Sequence, residues 1–241
     1  VIPGLVDIHF HGAAGADISD GDLEGLHKMA AYEASRGVTA ICPATMTLPF
    51  EVLMEAARSA ASFVPADNEA ALVGINMEGP YISPDKVGAQ NPDYVRAANA
   101  DEFRQLQEAS GGLIKLVDLA PEEEGAVEFI KEMGDEVTIS VAHTSTSYDD
   151  AVTGFEAGAR HMTHLYNAMP SLHHRKPGPI AAAAERDDIT AEIIADGIHI
   201  HPAMVRLAFN MFGHDRMVLI SDTLRAVGLP DGVYDLGGQD V

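Results

Sequence analysis

Short apolar runs alternate with longer stretches of helical periodicity along the whole chain. The short runs are rich in Val and Ile, and in the longer stretches apolar residues recur every three or four positions. This alternation is typical of repeated βα units, in which helices cover a parallel sheet. Eight strands close a barrel, so the sequence predicts a (β/α)8 TIM barrel of the α/β class. The eight runs are residues 4–8, 38–42, 71–76, 113–117, 137–141, 161–163, 191–194 and 217–220.

The segments between the strands predict helices with recognisable ends. Ser, Thr or Asp stands near several helix starts, and glycine follows several helix ends. Residues 79–99 are instead rich in Pro, Gly and Asn and have no clean period. Since loops of this length in a compact domain are usually functional, we expect a functional loop after the third strand. The helical candidates are residues 22–36, 49–63, 100–109, 122–133, 147–157 and 202–212.

Length and composition favour one globular barrel domain over residues 1–241. The chain is 46% hydrophobic and 22% charged, which is enough apolar material for a packed core. It contains neither an apolar run of 18 residues nor a basic-then-apolar leader, so no membrane span and no signal peptide are expected in this stretch. The single cysteine, Cys42, cannot form an internal disulfide, which favours a cytoplasmic location. The first residue is Val1 and the last is Val241 after a turn-rich stretch, so we expect a piece of a longer protein.

The charge balance limits the partners. With 37 acidic and 15 basic residues, the formal net charge is -22. This charge opposes binding to nucleic acids and to anionic membranes. It would also repel an anionic small molecule, so a phosphate group would need a local cluster of arginine, histidine or backbone N–H groups.

Polar residues that can bind a metal or transfer a proton follow most of the predicted strands. Barrel enzymes place their active sites at the carboxyl ends of the strands, so these residues predict a site at that rim. His9 and His11 are spaced as strand residues whose side chains point to the same side. Nitrogen ligands with a carboxylate suit zinc or iron(II). The rim residues, in chain order, are His9, His11, Glu78, His143, His164, Asp196, His199 and Asp222.

Each of these residues also has an ordinary structural interpretation. Imidazoles form hydrogen bonds in polar pockets, a carboxylate at the start of a loop is often solvated, and Asp222 can cap a helix. Their occurrence at successive strand ends favours a metal site, beside which Asp222 would serve as the base. Cys42 is interpreted as a packing residue, and His161 is interpreted as a surface, core or supporting residue.

Seven stretches carry a resemblance to the amidohydrolase superfamily and, within it, to the N-acetylglucosamine-6-phosphate deacetylases. The resemblance extends over almost the whole chain. The paired histidines alone mark the superfamily, whereas the EGP, HLYNAM and DGxH stretches in this order are more specific. The stretches are PGLVDIHFHG at 3–12, EGPY at 78–81, GAQNP at 88–92, LAPE at 119–122, HLYNAM at 164–169, DGIH at 196–199 and SD at 221–222.

This resemblance implies hydrolysis of the acetamide of N-acetyl-D-glucosamine 6-phosphate to D-glucosamine 6-phosphate and acetate, in amino-sugar catabolism. It implies one or two divalent ions, zinc or iron, with Glu78, His143 and His164 as ligands of the main ion. His9 and His11 match positions that hold a second ion in some members. Asp222 is implied as general base and then as general acid.

The resemblance also implies a substrate site and a partner. The phosphosugar would be held by Asn167, the backbone at Ala168, Arg175 and His199. The arginine can come from a neighbouring subunit in this family, so a homodimer is implied. Many members have a histidine where this chain has Gln90, which can donate a hydrogen bond to the substrate carbonyl but carries no charge. The family's small β domain, built from segments flanking the barrel, is largely absent from this chain.

Two alternatives stay open from the sequence. One is an amidohydrolase for another N-acyl amino sugar or for a cyclic amide, as in dihydroorotase-like relatives. The other is a sugar-phosphate sensor without turnover, for which erosion of the ligands or the base would be expected. All four of Glu78, His143, His164 and Asp222 are present, which favours the enzyme.

Overall fold

Eight parallel strands follow one another around a barrel in the computed structural model, which describes residues 2–241. The strands lie where the sequence predicts them, and we number them barrel strands 1 to 8. Their bounds are Leu5–Asp7, Val38–Ile41 with Ala44–Thr45, Ala71–Leu72 with Ile75–Glu78, Ile114–Leu119, Thr138–Val141, His161–Met162, Thr190–Ile194 and Met217–Ile220. Each strand pairs in parallel with its neighbours in the chain, so the predicted barrel topology is confirmed.

Strands 2 and 3 are interrupted, and the ladder changes register there. Pro43 interrupts strand 2 because proline has no backbone N–H to donate to the ladder. Gly74 interrupts strand 3 where the chain approaches its neighbour closely: a Cβ at this position would lie 2.6 Å from Cγ of Lys115. The ring closes between strands 8 and 1 through loop hydrogen bonds, with the N–H of Asp222 donating to the carbonyl of His9 at 3.0 Å.

Within residues 2–241, seven α-helices pack around the strands. Six match the predicted helices, with Asp22, Asn99 and Ser147 accepting hydrogen bonds from N–H groups at three helix starts. The predicted start of the fourth helix at residue 122 is wrong, because Gly125 adopts a left-handed φ of 77° and the helix begins after it. The helices are α1 Leu23–Ser35, α2 Phe50–Ala61, α3 Ala100–Ala109, α4 Ala126–Met133, α5 Tyr148–Ala157, α6 Gly178–Ala184 and α7 Pro202–Phe212.

Helix α6 was not predicted. Its core is a run of four alanines that gives no alternation of large apolar and polar positions. The periodic signal that marks an amphipathic helix is therefore missing. The N-terminal proline pair around Gly178 is the remaining signal, because proline is well tolerated in the first helical turn.

The remaining segments are loops with short regular pieces. The long loop that the composition predicts after strand 3 is present, and it contains two single 3₁₀ turns, Pro84–Lys86 and Pro92–Tyr94. Strand 1 is followed by a short hairpin whose two strands, Gly12–Ala13 and Ala16–Asp17, have two residues each. The 3₁₀ turn Ile18–Asp20 comes next. After strand 8, residues 221–241 form a loop and the hairpin Asp235–Leu236 with Gln239–Asp240. Between residues 2 and 241, no helix is both long and apolar enough to cross a membrane.

Candidate active site

The predicted metal and proton-transfer residues gather at the carboxyl mouth of the barrel. Glu78 is the last residue of strand 3, and the histidines and Asp222 stand just beyond the ends of strands 1, 5, 6 and 8. The side chains of His9, His11, His143 and His164 are buried, as is Glu78. Since these strands are parallel, their carboxyl ends bring residues distant in sequence into one pocket.

Backbone strain is concentrated at this mouth. His143, His164 and Asp222 have φ values of 41°, 27° and 50°, in the left-handed region that non-glycine residues rarely adopt. Such conformations cost about 1–3 kcal/mol each and persist where surrounding contacts hold them. The N–H of Leu165, next to His164, donates to the carbonyl of Glu192 at 2.9 Å and supports one of these turns.

Glu78, His143 and His164 form a compact triangle of ligand atoms. Oε1 of Glu78 lies 3.0 Å from Nε2 of each histidine, and the two Nε2 atoms lie 3.1 Å apart. A tetrahedral zinc ion with Zn–N distances of about 2.0–2.1 Å has ligands about 3.3 Å apart. The triangle is therefore close to the size of one face of such a coordination shell.

The second ring nitrogen of His143 supports the same interpretation. Its Nδ1 lies 2.8 Å from the carbonyl oxygen of Lys86. Because a carbonyl can only accept, Nδ1 carries the proton and the lone pair of a neutral ring lies on Nε2, toward the triangle.

His9 and His11 form a second group with the same glutamate. Nε2 of His11 lies 3.3 Å from Oε2 of Glu78, and Nε2 of His9 lies 3.4 Å from Oε1. Nδ1 of His11 donates to the carbonyl of Ala44 at 3.0 Å, and Nδ1 of His9 donates to Glu192 at 2.9 Å. Nε2 of His9 is buried without a hydrogen-bond partner among residues 2–241. A cation would satisfy this nitrogen, so the residues fit two adjacent metal positions that share Glu78.

Asp222 lies beside the second group. Its Oδ1 is 3.5 Å from Nε2 of His11 and 3.7 Å from Nε2 of His9. Burial raises the pKa of Asp222, but the contact with His11 and the positive charges of His9 and His11 outweigh it and lower the pKa to about 2. The carboxylate is therefore ionised at neutral pH and can accept a proton.

The histidine rings respond to the same carboxylates. Burial lowers the pKa of His11, but its contacts with Asp222 and Glu78 outweigh this effect and raise the pKa to about 10. The pKa of His9 is likewise raised well above its usual range by Glu192, Glu78 and Asp222, against the opposing effect of burial. Without a metal, the ring of His11 is therefore protonated at neutral pH, and a cation has to displace a proton from it.

An open cleft of about 240 Å³ lies above these groups. Four of the five predicted substrate residues line it: Gln90, Asn167, Ala168 and His199. Arg175 does not line it: this residue lies on an exposed segment and lines a separate depression together with Ser145 and Lys176. The structure thus does not bring Arg175 to the cleft of its own chain.

Gln90 is held in one orientation. Its Oε1 accepts a hydrogen bond from the N–H of Thr47 at 2.6 Å, and its Nε2 donates to Oε2 of Glu78. The side chain is buried. One N–H of the amide is thus committed to Glu78, and the other is left for a molecule in the cleft.

Two acidic residues support the site, and one of them, Glu192, was not among the predicted rim residues. Glu192 lies in the middle of strand 7 rather than at its end, with contacts to His9 and His161. The sequence does contain a sign of this role: Glu192 is the one acid in the otherwise apolar run 191–194, and buried glutamates are rare unless they are paired. Asp196 accepts from Nδ1 of His199 at 2.8 Å and orients that ring.

Comparisons with known proteins show which proteins this chain is similar to. The model of the amidohydrolase family matches residues 1–233. N-acetylglucosamine-6-phosphate deacetylase of Bacillus subtilis (strain 168) is 42% identical over 246 residues, which cover all of this chain and 62% of the relative. N-acetylgalactosamine-6-phosphate deacetylase of Escherichia coli O157:H7 is 36% identical and covers 99% of this chain and 64% of the relative.

The fold of this chain is also similar to that of a solved structure. A mutant of N-acetyl-D-glucosamine-6-phosphate deacetylase from Mycobacterium smegmatis, in complex with N-acetyl-D-glucosamine-6-phosphate, superposes with a TM-score of 0.94 at 34% sequence identity. The match covers 99% of this chain and 62% of that protein. The chain therefore spans a little over three fifths of the length of these relatives.

Proposed function

Because the chain belongs to the amidohydrolase family, we propose that it forms the catalytic barrel of a metal-dependent N-acetylglucosamine-6-phosphate deacetylase. The observation that carries this proposal is the triangle of Glu78, His143 and His164, with ionised Asp222 nearby. The names of the most similar relatives support the substrate class. The products would be D-glucosamine 6-phosphate and acetate.

In this proposal Glu78, His143 and His164 hold the main divalent ion, which is zinc or iron(II). His9 and His11 hold a second ion with the shared carboxylate of Glu78. Such an ion supplies Lewis acidity toward the acetamide oxygen and lowers the pKa of water at the site. Mixed imidazole and carboxylate ligands are suited to both metals.

Asp222 moves the proton. Its carboxylate takes a proton from the attacking water as the new C–O bond forms at the amide carbon. It then returns that proton to the nitrogen as the C–N bond breaks, so that the amine leaves neutral. The low pKa of Asp222, about 2, keeps the carboxylate ready for the first step.

The residues lining the cleft hold the phosphosugar. Asn167, the backbone at Ala168 and His199 face the cleft, and the free N–H of Gln90 is available to the acetamide oxygen. Arg175 lies outside this cleft and would reach the phosphate of a second copy, which makes a homodimer part of the proposal. Its planar guanidinium suits paired hydrogen bonds to phosphate. With a charge of -22 and one buried cysteine, we propose a cytoplasmic enzyme without nucleic-acid or membrane partners.

A second candidate substrate is N-acetylgalactosamine 6-phosphate. One relative with 36% identity is named for this sugar, which differs from glucosamine only at one hydroxyl configuration. The metal ligands and the base would serve both sugars equally.

Acetate release by the full-length protein from a panel of sugars tests the proposal. The panel contains N-acetylglucosamine 6-phosphate, its galactosamine counterpart and unphosphorylated N-acetylglucosamine, each with and without chelator. We expect chelator-sensitive release that depends on the phosphate and is fastest for the glucosamine substrate. Faster acetate release from the galactosamine substrate would establish N-acetylgalactosamine 6-phosphate as the substrate. No release from any sugar with any divalent ion would overturn the proposal that the protein is an enzyme.

A further inference from the structure

Below the candidate metal site, the barrel interior contains a buried acid that the proposed chemistry does not use. Glu192 projects inward from strand 7 and has no solvent exposure. The interior of a TIM barrel is normally filled by bulky apolar side chains, and a buried carboxylate is costly unless it is fully paired. Its contacts therefore indicate what keeps this carboxylate there.

Both oxygens of Glu192 have partners, and those of Oε2 are candidate metal ligands. Oε2 accepts from Nδ1 of His9 at 2.9 Å and from the backbone N–H of His164 at 3.2 Å. His9 and His164 belong to the two different groups of ligands around Glu78. One carboxylate oxygen thus contacts both groups from the side opposite the cleft.

The other oxygen is fixed from the barrel wall. Oε1 lies 3.1 Å from Nε2 of His161, and Nδ1 of that ring lies 2.5 Å from the hydroxyl of Thr190. The His161 ring is itself buried. The chain Thr190–His161–Glu192 therefore holds the carboxylate in one orientation beneath the ligands.

We propose that Glu192 is a positioning residue for the metal centre, an inference that rests on the proposed function. It keeps the proton of His9 on Nδ1, turns Nε2 of that ring toward the shared glutamate, and fixes the strained turn at His164. Carboxylates that accept from metal-binding histidines act in this way, and their loss commonly lowers metal affinity 10- to 100-fold. His161 acts only through Glu192, so its removal has a smaller effect.

Asp118 provides a matched control. It projects into the same barrel interior from strand 4 and is equally buried. Neither of its oxygens has a hydrogen-bond partner among the described residues. Asp118→Asn therefore changes a second buried acid of the barrel interior without removing a hydrogen bond to a histidine ring.

The test is a titration of chelator-treated full-length protein with Zn²⁺, with the number of bound ions and their affinities measured by calorimetry and metal analysis. Glu192→Gln should weaken the ion at His9 and His11 about 10- to 100-fold, His161→Gln should weaken it less, and Asp118→Asn should match the wild type. Unchanged zinc affinity in folded Glu192→Gln, or an equal loss in Asp118→Asn, would overturn the inference alone. Failure of the wild type to bind any divalent ion would overturn the proposed function as well.

A second measurement on the wild type covers the case in which Glu192→Gln does not fold. Long-range ¹H–¹⁵N spectra of the zinc-loaded protein report which nitrogen of each ring carries a proton. We expect His9 protonated at Nδ1 and not at Nε2. Protonation at Nε2 in the loaded protein would show that Glu192 does not set this ring, and would overturn the inference without reference to activity.

Discussion

Replacing Glu33 by glutamine should stabilise the protein at alkaline pH and change it little in acid. Glu33 lies on the inner side of α1 and is 5% exposed. Burial raises the pKa of this carboxyl, the charge of Asp7 raises it further, and Arg36 offsets only part, so the pKa is about 7 against an ordinary value of 4.5. The folded protein thus binds this proton more tightly than the unfolded chain.

The size of the effect follows from the difference between the two pKa values. Each unit corresponds to about 1.36 kcal/mol, so a difference of 2.5 units gives at most about 3.4 kcal/mol. Ionising Glu33 in the folded protein lowers the free energy of unfolding. This loss of stability is absent below the unfolded pKa of 4.5, grows as the pH rises, and is complete above the folded pKa of about 7. Glutamine carries no charge and removes the cost. We therefore expect Glu33→Gln to gain about 2–3 kcal/mol more at pH 8 than at pH 5.

Urea unfolding of the full-length protein at pH 5 and pH 8 measures this difference. Glu156→Gln on α5 is the matched control, since Glu156 is an exposed helical glutamate and surface changes of this kind usually stay within about 0.5 kcal/mol. If Glu33→Gln changed the free energy of unfolding equally at both pH values, Glu33 would not be ionised at a cost in the folded protein, and the reasoning would be refuted.

Three further predictions concern the site. Asp222→Asn should lower kcat for acetate release about 10²- to 10⁴-fold and keep the bound metal; loss of metal in metal analysis would instead make Asp222 a ligand. Because the pKa of His11 is raised to about 10, zinc binding should release protons, and the zinc affinity should increase as the pH rises from 6 to 9. Calorimetry in buffers of different ionisation enthalpy measures the protons released. A zinc affinity that does not change with pH would contradict this prediction. Gln90→Leu should weaken zinc binding because Glu78 loses a donor, and equal affinity in the same titration would show that this hydrogen bond does not orient the carboxylate.

The strand pattern predicted the barrel because each parallel strand is a short, buried, β-branched run. It also predicted the rim, since the residue that follows such a run lies at the carboxyl end of the barrel. Glu78 and His143 were found in this way. The bounds of α4 and the presence of α6 were harder to predict from the sequence. A left-handed glycine delays the start of α4, and the uniform alanine run of α6 gives no amphipathic pattern.

The support beneath the site could not be read from strand ends. Glu192 lies within a strand, and its partners His9 and His161 come from residues 183 and 31 positions away. The orientation of Gln90 likewise depends on Thr47, which belongs to a different βα unit. The family resemblance points to Arg175 as a substrate residue, but only the folded chain reveals that it lies away from the cleft of its own chain.

Restoration of activity by added metal is the decisive test of the proposed metal centre. Chelator-treated full-length protein is titrated with Zn²⁺ while acetate release from N-acetylglucosamine 6-phosphate is measured. We expect negligible acetate release before zinc is added and a recovery of activity that saturates at one or two ions per chain. Full release by the metal-free protein, or no recovery with zinc or iron(II), would contradict a metal centre at Glu78, His143 and His164.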